Sequence, residues 1–284
     1  MLRRFRKKYI IIALASLFLV ACQAGERKLS EDDGDKRKVK IAYAQSGKPM
    51  AWTDENGEPA GYDVEVLKRV EEKLAGYEFE YIGTTDDDLL IGVEQGKFQV
   101  GVKNAFFTEE RDKKFIYPKE FLGLSSIGLV VKSEDKELDT LDAFAKAGKT
   151  LVPIAANSAQ YTVIQEFNDE NPGNEVKLVA GDTFSVDVVQ WVNEERYDGG
   201  IMIEGPFAEN VLVEGALYEE FKDDVVYNEF SVIKTWPLFN NKEQQFADDY
   251  DQALKELKKE GVLSELSEEF YGRDLFDVLD EVER

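Results

Sequence analysis

Short apolar segments alternate with segments of helical periodicity along most of the chain, which is typical of α/β proteins. The first half predicts strands at these positions: 39–44, 77–82, 98–102 and 124–132. Between them, a helix begins near Asp63 as the expected cap and has an apolar face formed by Val64, Leu67, Val70 and Leu74. A second helix at 86–94 is closed by Gly96, and a third runs from Thr108 to about 114.

The same alternation continues in the second half. Helices are predicted at 138–146, at 158–168 and around an apolar face of Phe184, Val188, Trp191 and Val192. Strands are predicted at 150–154, 176–179 and 199–203, after which Pro206 opens a helix at its first position. The clearest amphipathic helix spans 245–260, ends at Gly261 and is followed by another that contains Leu263, Leu266 and Phe270. These C-terminal apolar faces predict core packing.

The N-terminal region has the pattern of an export signal. Residues 1–9 hold five basic side chains and no acidic one, and 10–20 is an unbroken run of apolar or small residues. A permanent membrane anchor is the alternative, although the run is shorter than the about 20 residues that span a bilayer. Leu-Val-Ala-Cys at 19–22 resembles a bacterial lipobox, in which Cys22 is lipidated and becomes the mature N-terminus. The polar segment that follows, up to residue 38, predicts a disordered tether.

The composition excludes several classes of function. The chain has no His, which excludes Ser-His-Asp and Cys-His nucleophiles and His-ligated zinc. Its single Cys excludes an internal disulfide and a Cys-cluster metal site. The net charge of −23, which becomes −28 when residues 1–21 with their five basic side chains are removed, opposes binding to nucleic acid. We therefore expect no cofactor and no metal, and a small molecule or a membrane complex as the partner.

The remaining candidate residues are charged or polar groups at the ends of predicted strands. Arg111 comes soon after the strand at 98–102, at the sheet edge where open α/β sheets bind ligands. A guanidinium group suits a carboxylate, whereas the alternative is a surface ion pair beside a helix cap by Thr108. Asn157 and Ser158 open a helix whose free N–H groups suit the same carboxylate, although ordinary capping gives the same pattern.

Glu204 follows the predicted strand at 199–203 and is the matching acidic candidate. Its carboxylate suits an ammonium group, and the alternative is a simple cap of the next helix. An arginine on one side of a cleft and a carboxylate on the other would match an α-amino acid.

Several stretches together resemble the family 3 extracellular solute-binding proteins, the receptor subunits of ABC importers for polar amino acids and cystine. They are Asp-Glu-Asn-Gly at 54–57, Gly-Tyr-Asp-Val-Glu-Val at 61–66, Gly-Lys-Phe at 96–98, Thr-Glu-Glu-Arg at 108–111, the helical stretch at 253–261 and Phe-Tyr-Gly at 270–272. The similarity runs from about Val39 to Leu279. Because order and spacing agree over that length, the resemblance favours the carboxylate role of Arg111.

The resemblance implies a fold and an arrangement of lobes. The fold class is α/β, the two-lobed type II periplasmic-binding-protein fold, with a mixed sheet flanked by helices in each lobe. Residues 39–131 and 232–284 would form lobe 1, and 132–231 would form lobe 2. Two chain crossings would form the hinge, and the ligand would close the lobes around itself.

The resemblance also implies roles for individual residues. Arg111 would pair with the ligand carboxylate, Asn157 and Ser158 would add backbone or hydroxyl contacts, and Glu204 would hold the α-amino group. The further residues assigned to the expected ligand site are Trp52, Tyr43, Asn104, Phe106 and Thr108. The implied partners are an amino acid and the permease subunits of an ABC importer, with a monomeric receptor held at the outer face of the cell membrane by lipid on Cys22.

The chain departs from the family pattern at positions that leave its side-chain specificity open. The Ser46–Met50 stretch, which includes Gly47, lacks the usual Tyr or Phe, and Asp87 replaces a usual Trp. Gln99 replaces a frequent Asp, and Glu204 replaces the more common Asp. Lys103 and Phe106 make the segment before Thr108 bulkier than usual. Two alternatives stay open: an enzyme that uses a carboxylate pair on the same scaffold, and a sensor that only binds.

Overall fold

The computed structural model describes residues 36–156, 158–181 and 187–282. The predictions for the export signal, Cys22 and most of the tether lie outside these residues, as do Asn157 and Phe184. None of the helices in the described ranges has the length and apolarity that crossing a membrane requires.

Strands in the described ranges vary from two to sixteen residues in length. They are β1 (Arg37–Ala44), β2 (Ser46–Gly47), β3 (Ala51–Thr53), β4 (Pro59–Ala60), β5 (Tyr77–Thr84), β6 (Val100–Ala105), β7 (Phe115–Ile116), β8 (Gly123–Lys132), β9 (Ile154–Ala155), β10 (Ala180–Gly181), β11 (Gly199–Ile203) and β12 (Val225–Asn240).

Helices connect these strands and cover the sheet. They are α1 (Tyr62–Lys73), α2 (Asp86–Glu94), α3 (Glu109–Asp112), α4 (Leu141–Lys146), α5 (Ala159–Glu170), α6 (Val188–Asn193), α7 (Glu204–Phe207), α8 (Gln244–Lys259), α9 (Val262–Tyr271) and α10 (Leu275–Val282). A π-helical turn at Ala208–Leu212 extends α7, and short 3-10 turns lie at Ser133–Asp135 and Glu219–Phe221.

One mixed sheet runs through the molecule in the order β11, β8, β12, β6, β1, β5, with β7 paired to β12. β1 pairs in parallel with β5 and with β6, as expected of strands joined by crossover helices. β8 and β12 are antiparallel from Val225 opposite Lys132 to Thr235 opposite Gly123. Because β8 also pairs with β11 and β12 also pairs with β6, these two long strands connect the two halves of the sheet.

Several hydrophobic clusters lie on these halves, and two of them mark the lobes. One packs β1, α1, α8 and α9 together through buried side chains that include Tyr62, Phe246 and Tyr250. The other surrounds β8, α4, α5 and β11 and includes Phe144 and Ile164. We call the part built on the first core lobe 1 and the part built on the second core lobe 2. The exact boundaries at 131/132 and 231/232 stay predictions.

Several predicted elements are found where the sequence places them. α2 spans Asp86–Glu94, and Gly96 follows it with a φ of 79°. β11 spans Gly199–Ile203. Thr108 and Ser158 cap α3 and α5, because their hydroxyl oxygens accept backbone N–H groups of Arg111 and Tyr161.

The predicted cap of α1 is wrong. The residue at the N-cap is Gly61, with a φ of 114° and no side-chain cap. A Cβ atom at Gly61 would lie 2.4 Å from the carbonyl oxygen of Met50, so the close approach of these two segments requires glycine. Asp63 therefore falls within the first helical turn, where its side chain is buried.

Other boundaries differ because tertiary packing overrides the local pattern. β6 starts at Val100 instead of residue 98, since Phe98 is packed in the core under α2. The predicted strands at 150–154 and 176–179 reduce to single bridges beside the two-residue strands β9 and β10. Pro206 is the third residue of α7, not the first. β12 and α10 were not predicted from the sequence.

Candidate functional site

The carboxyl ends of the strands of lobe 1 open into a cavity that we call the Lys103 cavity. β1 ends at Ala44, β6 carries Lys103, Asn104 and Ala105, and α2 starts with Asp86 just after β5. The cavity has a volume of about 240 Å³ and is lined by Ala44, Gly47, Met50, Ala51, Asp86, Lys103, Asn104 and Phe106. Open α/β sheets bind ligands at this edge, so the cavity is the leading ligand site on lobe 1.

A charged pair forms part of the wall of the Lys103 cavity. The ammonium nitrogen of Lys103 lies 2.7 Å from Oδ2 of Asp86. The Lys103 side chain is 13% exposed, whereas that of Asp86 is 57% exposed. The Lys103 side chain is thus mostly covered, while its partner reaches the surface. The other lining residues are apolar, glycine or, at Asn104, uncharged polar.

Asn104 joins the cavity wall to β8, one of the two long strands that connect the halves of the sheet. Its φ of 53° lies in the left-handed region, which is uncommon for a residue with a side chain. Its backbone N–H donates to Oδ2 of Asp63 at 3.2 Å, and its Oδ1 accepts from the hydroxyl of Ser125 on β8 at 2.7 Å. Burial raises the pKa of Asp63 to about 7, against the smaller lowering effect of the Asn104 N–H. Sequence reasoning missed Asp63 because its polarity at a helix start resembles a cap.

Arg111 lies beside the Lys103 cavity and does not line it. Its Nη1 donates to the carbonyl oxygen of Phe106 at 3.0 Å, and the hydroxyl of Tyr117 donates to the same oxygen at 2.9 Å. Together with Asp87, Thr108 and Lys114, Arg111 lines a neighbouring cavity. Of the structural alternative to a ligand role, the cap by Thr108 is present, whereas Arg111 forms no ion pair with a carboxylate among the described residues.

The aromatic candidates Tyr43 and Trp52 serve packing in this conformation. Tyr43 is buried, and its hydroxyl lies 2.9 Å from Oγ1 of Thr53. Trp52 contacts the ring of Phe270 edge-on at 6.1 Å, and the ammonium of Lys48 lies 5.6 Å from the Trp52 ring centre. Their chain neighbours Ala44 and Ala51 line the Lys103 cavity instead.

Glu204 belongs to a second cavity, the Glu204 cavity, between the lobes. Lobe 2 contributes Ile203, Glu204, Gly205 and Ala208 to its lining, and β8 contributes Ser125 and Ser126. Lobe 1 contributes Pro49, Met50, Phe270 and Tyr271. Met50 also lines the Lys103 cavity, so the two cavities are neighbours on either side of this side chain.

An arginine that sequence analysis missed holds Glu204. Nη2 of Arg273, just after α9, donates to Oε2 of Glu204 at 2.8 Å. Arg273 also binds Glu229 on β12, through Nη1 to Oε1 at 3.0 Å and through a very short Nη2 to Oε2 contact. Burial works to lower the pKa of Arg273, but the hydrogen bonds and negative charges of the two glutamates raise it overall. No local signal marks this cluster, since 69 residues separate Arg273 from Glu204.

The lobes also touch next to Glu204. A Cβ atom built on Gly205 would lie 3.0 Å from Cδ of Pro49 and 3.4 Å from the carbonyl oxygen of Lys48. The segment at 48–50 of lobe 1 therefore packs directly on the start of α7 in lobe 2.

Ser158 is largely buried and acts as the cap of α5. The next residue, Ala159, lines a third cavity together with Phe106, Phe107, Thr162 and Val163. Phe106 is thus shared with the Lys103 cavity. Shared lining residues thus join the three cavities in a row, whose lining includes Asn104, Phe106 and Glu204, while Arg111 and Thr108 line a cavity outside this row. Among the described residues, no group of three or more acidic or Cys side chains is placed to hold a metal ion.

Comparison with known proteins gives consistent matches over nearly the whole described chain. The family described as bacterial extracellular solute-binding proteins, family 3, matches residues 39–273. The L-cystine-binding protein TcyJ of Bacillus subtilis (strain 168) is 28% identical over 94% of this chain and 96% of its own length. The L-cystine-binding protein TcyK of the same organism is 25% identical over 90% of this chain and 92% of its own length.

A solved structure shows the same fold. The probable amino-acid ABC transporter extracellular-binding protein ytmK of Bacillus subtilis superposes with a TM-score of 0.64 at 22% identity. The match covers 84% of this chain and 99% of that one. The predicted fold class, a two-lobed type II periplasmic-binding-protein fold, is confirmed by this likeness.

Proposed function

We propose a ligand class and a transport role for this chain, which belongs to the bacterial extracellular solute-binding proteins, family 3. The chain captures an amino acid or a cystine-like molecule between its lobes and delivers it to the permease of an ABC importer. Two relatives that match at least 90% of this chain are named as L-cystine-binding proteins, which supports this ligand class. The chain is a binding protein and not an enzyme.

The observation that carries the proposal is the row of cavities between the lobes. Met50 links the Lys103 cavity to the Glu204 cavity, and Phe106 links it to the third cavity. Residues of both lobes line the outer two cavities, so a molecule bound here contacts both lobes at once. A ligand that binds the closed form better than the open form shifts the population toward closure, which a permease can recognise.

Three of the candidate residues receive roles in this proposal. Glu204 takes the α-amino group, since the side chain of this acid is 43% exposed beside its cavity. Arg111 takes the α-carboxylate, because its guanidinium group has no carboxylate partner among the described residues and is one hydrogen bond away from Phe106 in the cavity wall. Asn104 adds a polar wall.

Thermal unfolding of the purified protein with the common amino acids and L-cystine tests the proposal. A ligand at 100 times its dissociation constant stabilises the folded state by about 2.7 kcal/mol, which raises the melting temperature measurably. We expect such a shift with at least one zwitterion and its loss in Arg111→Ala. Lys114→Ala, which alters another basic residue of the same surface, is the matched control. A shift that is equal in Arg111→Ala and wild type would remove Arg111 from the site.

We further propose that lipid on Cys22 holds the protein at the outer face of the cell membrane. The sequence at 19–22 supports this anchor, and a tethered receptor keeps a high local concentration near its permease. Mass spectrometry of the protein from membranes tests it, with Cys22→Ala as the comparison. An unmodified thiol on Cys22 in the mature wild-type protein would refute the anchor.

A further inference from the structure

The Lys103 cavity holds a cation whose hydrogen-bonding capacity is not used up. An ammonium group has three N–H donors. Among the described residues, Asp86 is the one charged partner of Lys103, at 2.7 Å. The side chain is only 13% exposed, so most of its surface faces the protein and the cavity. An anionic group that enters the cavity would accept from the remaining N–H donors, and hydrogen bonds between charged groups are among the stronger ones.

Lys103 and Asp86 lie apart from Arg111 and Glu204, to which we assign the α-carboxylate and the α-amino group of the ligand. Lys103 and Asp86 line the Lys103 cavity, whereas Glu204 lines the Glu204 cavity and Arg111 lines a cavity outside the row. The Lys103 cavity shares Met50 with the Glu204 cavity, and Arg111 donates to the carbonyl oxygen of Phe106 in its wall. A ligand that reached all of these residues would therefore carry charged groups at two separate places.

The opposite charges of Lys103 and Asp86 determine which chemical group of a ligand fits between them. A lone carboxylate would gain Lys103 but would also meet the negative charge of Asp86 only 2.7 Å from the same ammonium. A group with a carboxylate and an ammonium side by side matches both charges, with the carboxylate toward Lys103 and the ammonium toward the more exposed Asp86. Opposite charges placed in this way give both affinity and selectivity.

We infer that Lys103 and Asp86 form a second charged subsite, which binds a second amino-acid group at the far end of a two-headed ligand. The inference rests on the proposed function, because it adds a subsite to the same cleft. The ligand class is a molecule with an α-amino-acid group at each end, and Lys103 is its specificity-determining cation.

Isothermal titration of the purified protein with three probes tests this subsite. L-Cystine has two amino-acid groups, L-glutamate has one plus a lone carboxylate, and L-serine has one plus a hydroxyl. Wild type should bind L-cystine most tightly. Lys103→Met should weaken L-cystine binding by roughly tenfold to hundredfold and leave L-serine unchanged, because a hydrogen-bonded charge is lost only for the longer ligand. Asp86→Asn should weaken L-cystine and not L-glutamate.

Two further variants keep the test specific. Lys103→Arg keeps the charge and should retain the preference for L-cystine, which separates the role of the charge from packing. Lys146→Met removes another lysine that lies 2.7 Å from an aspartate, Asp142, on the exposed side of α4, and should change nothing.

Distinct outcomes overturn the subsite and the function. Equal losses for all three probes in Lys103→Met would assign Lys103 to the first amino-acid group, and unchanged L-cystine binding would remove it from the site. Tighter binding of L-glutamate than of L-cystine by wild type would also reject the second subsite. If wild type bound no probe and no other amino acid, the proposed function itself would fail.

Discussion

Lobe 1 and lobe 2 present their polar groups to the cleft in different ways. In lobe 1, Asn104 is fixed by Asp63 of α1 and by Ser125 of β8, and Lys103 is paired with Asp86. Apart from the connecting strand β8, these partners belong to lobe 1 itself. In lobe 2, Glu204 is held by Arg273, which follows α9 of lobe 1, and its neighbour Gly205 packs on Pro49.

The difference teaches which parts of the site depend on closure. Because Asp63 and Asp86 belong to lobe 1 itself, we expect the wall of lobe 1 to keep these partners when the lobes separate and so to be preorganised for the ligand. Glu204, in contrast, should lose this orientation when the lobes separate, because Arg273 and Pro49 both come from lobe 1. We therefore expect lobe 1 to provide the first docking surface and Glu204 to couple the ligand to the closed arrangement.

The strongest way to disturb the lobe 1 wall is through the buried carboxyl of Asp63. Its pKa is raised from 3.8 to about 7, mainly by burial. Between these values the folded state keeps a proton that the unfolded state has released, so the free energy of unfolding falls as pH rises from about 4 to 7. Each pKa step is worth about 1.4 kcal/mol, so this loss amounts to about 4 kcal/mol. Asp63→Asn should abolish it.

Chemical denaturation of wild type and Asp63→Asn between pH 4 and 8 measures this difference. The groups that interact electrostatically with Asp63 are the hydroxyls of Tyr62, Tyr250 and Tyr271, whose pKa values burial raises well above this window. They stay neutral and do not blur the result. The exposed Asp139 supplies the control Asp139→Asn, which should keep the wild-type dependence. Parallel curves for wild type and Asp63→Asn would show that Asp63 is not the titrating group.

Local patterns in the sequence predicted the elements whose signals are local. The bounds of α2 and β11 follow from apolar spacing, and the caps Thr108 and Ser158 follow from residue type and position. β12 escaped prediction because it crosses both lobes and has a bulge between Glu229 and Ser231, so its burial does not alternate.

The candidate site was predictable only in part, for a similar reason. Asn104, Phe106 and Glu204 line the cleft cavities, and their resemblance to family positions pointed to them. The Arg273 cluster and the placement of Arg111 beside the Lys103 cavity depend on contacts between distant segments. Spacing along the chain carries no information about such contacts. Lys103 stood out in the sequence as a departure, but its pairing with Asp86 required the structure.

The contact of Gly205 with Pro49 offers a way to break closure without touching lobe 1. Gly205→Val would force a branched side chain into a gap where even a Cβ atom lies 3.0 Å from Cδ of Pro49. Overpacking of this kind costs about 1–3 kcal/mol, which here opposes the closed form and corresponds to a roughly 5-fold to 150-fold loss of ligand affinity. Titration with L-cystine measures the loss, and small-angle scattering shows whether the lobes stay apart.

Gly76→Val is the matched control for this variant. Gly76 has no heavy atom within 4 Å of a built Cβ and lies in lobe 1 away from the cleft. It should bind like wild type. Full affinity in Gly205→Val, with the compact scattering profile kept, would mean that this contact is not part of the closed form.

The smallest effect is expected from Arg273→Met, which tests how far Glu204 of lobe 2 depends on lobe 1. Arg273→Met removes the cation that binds Glu204 and Glu229, whose side chains are 43% and 22% exposed. Partly exposed ion pairs contribute little, so the free energy of unfolding should fall by about 1 kcal/mol or less, and less still at high salt. A double-mutant cycle of Arg273→Met with Glu204→Gln in denaturation experiments measures the coupling free energy of this pair, with the exposed pair Arg69 and Glu72 as the reference.

If the coupling free energy of Arg273 and Glu204 exceeds that of the reference pair and disappears in 1 M salt, Arg273 positions Glu204 across the lobes. A coupling of zero would mean that Glu204 meets the ligand without help from lobe 1, so that the two sides of the cleft are equally independent of closure.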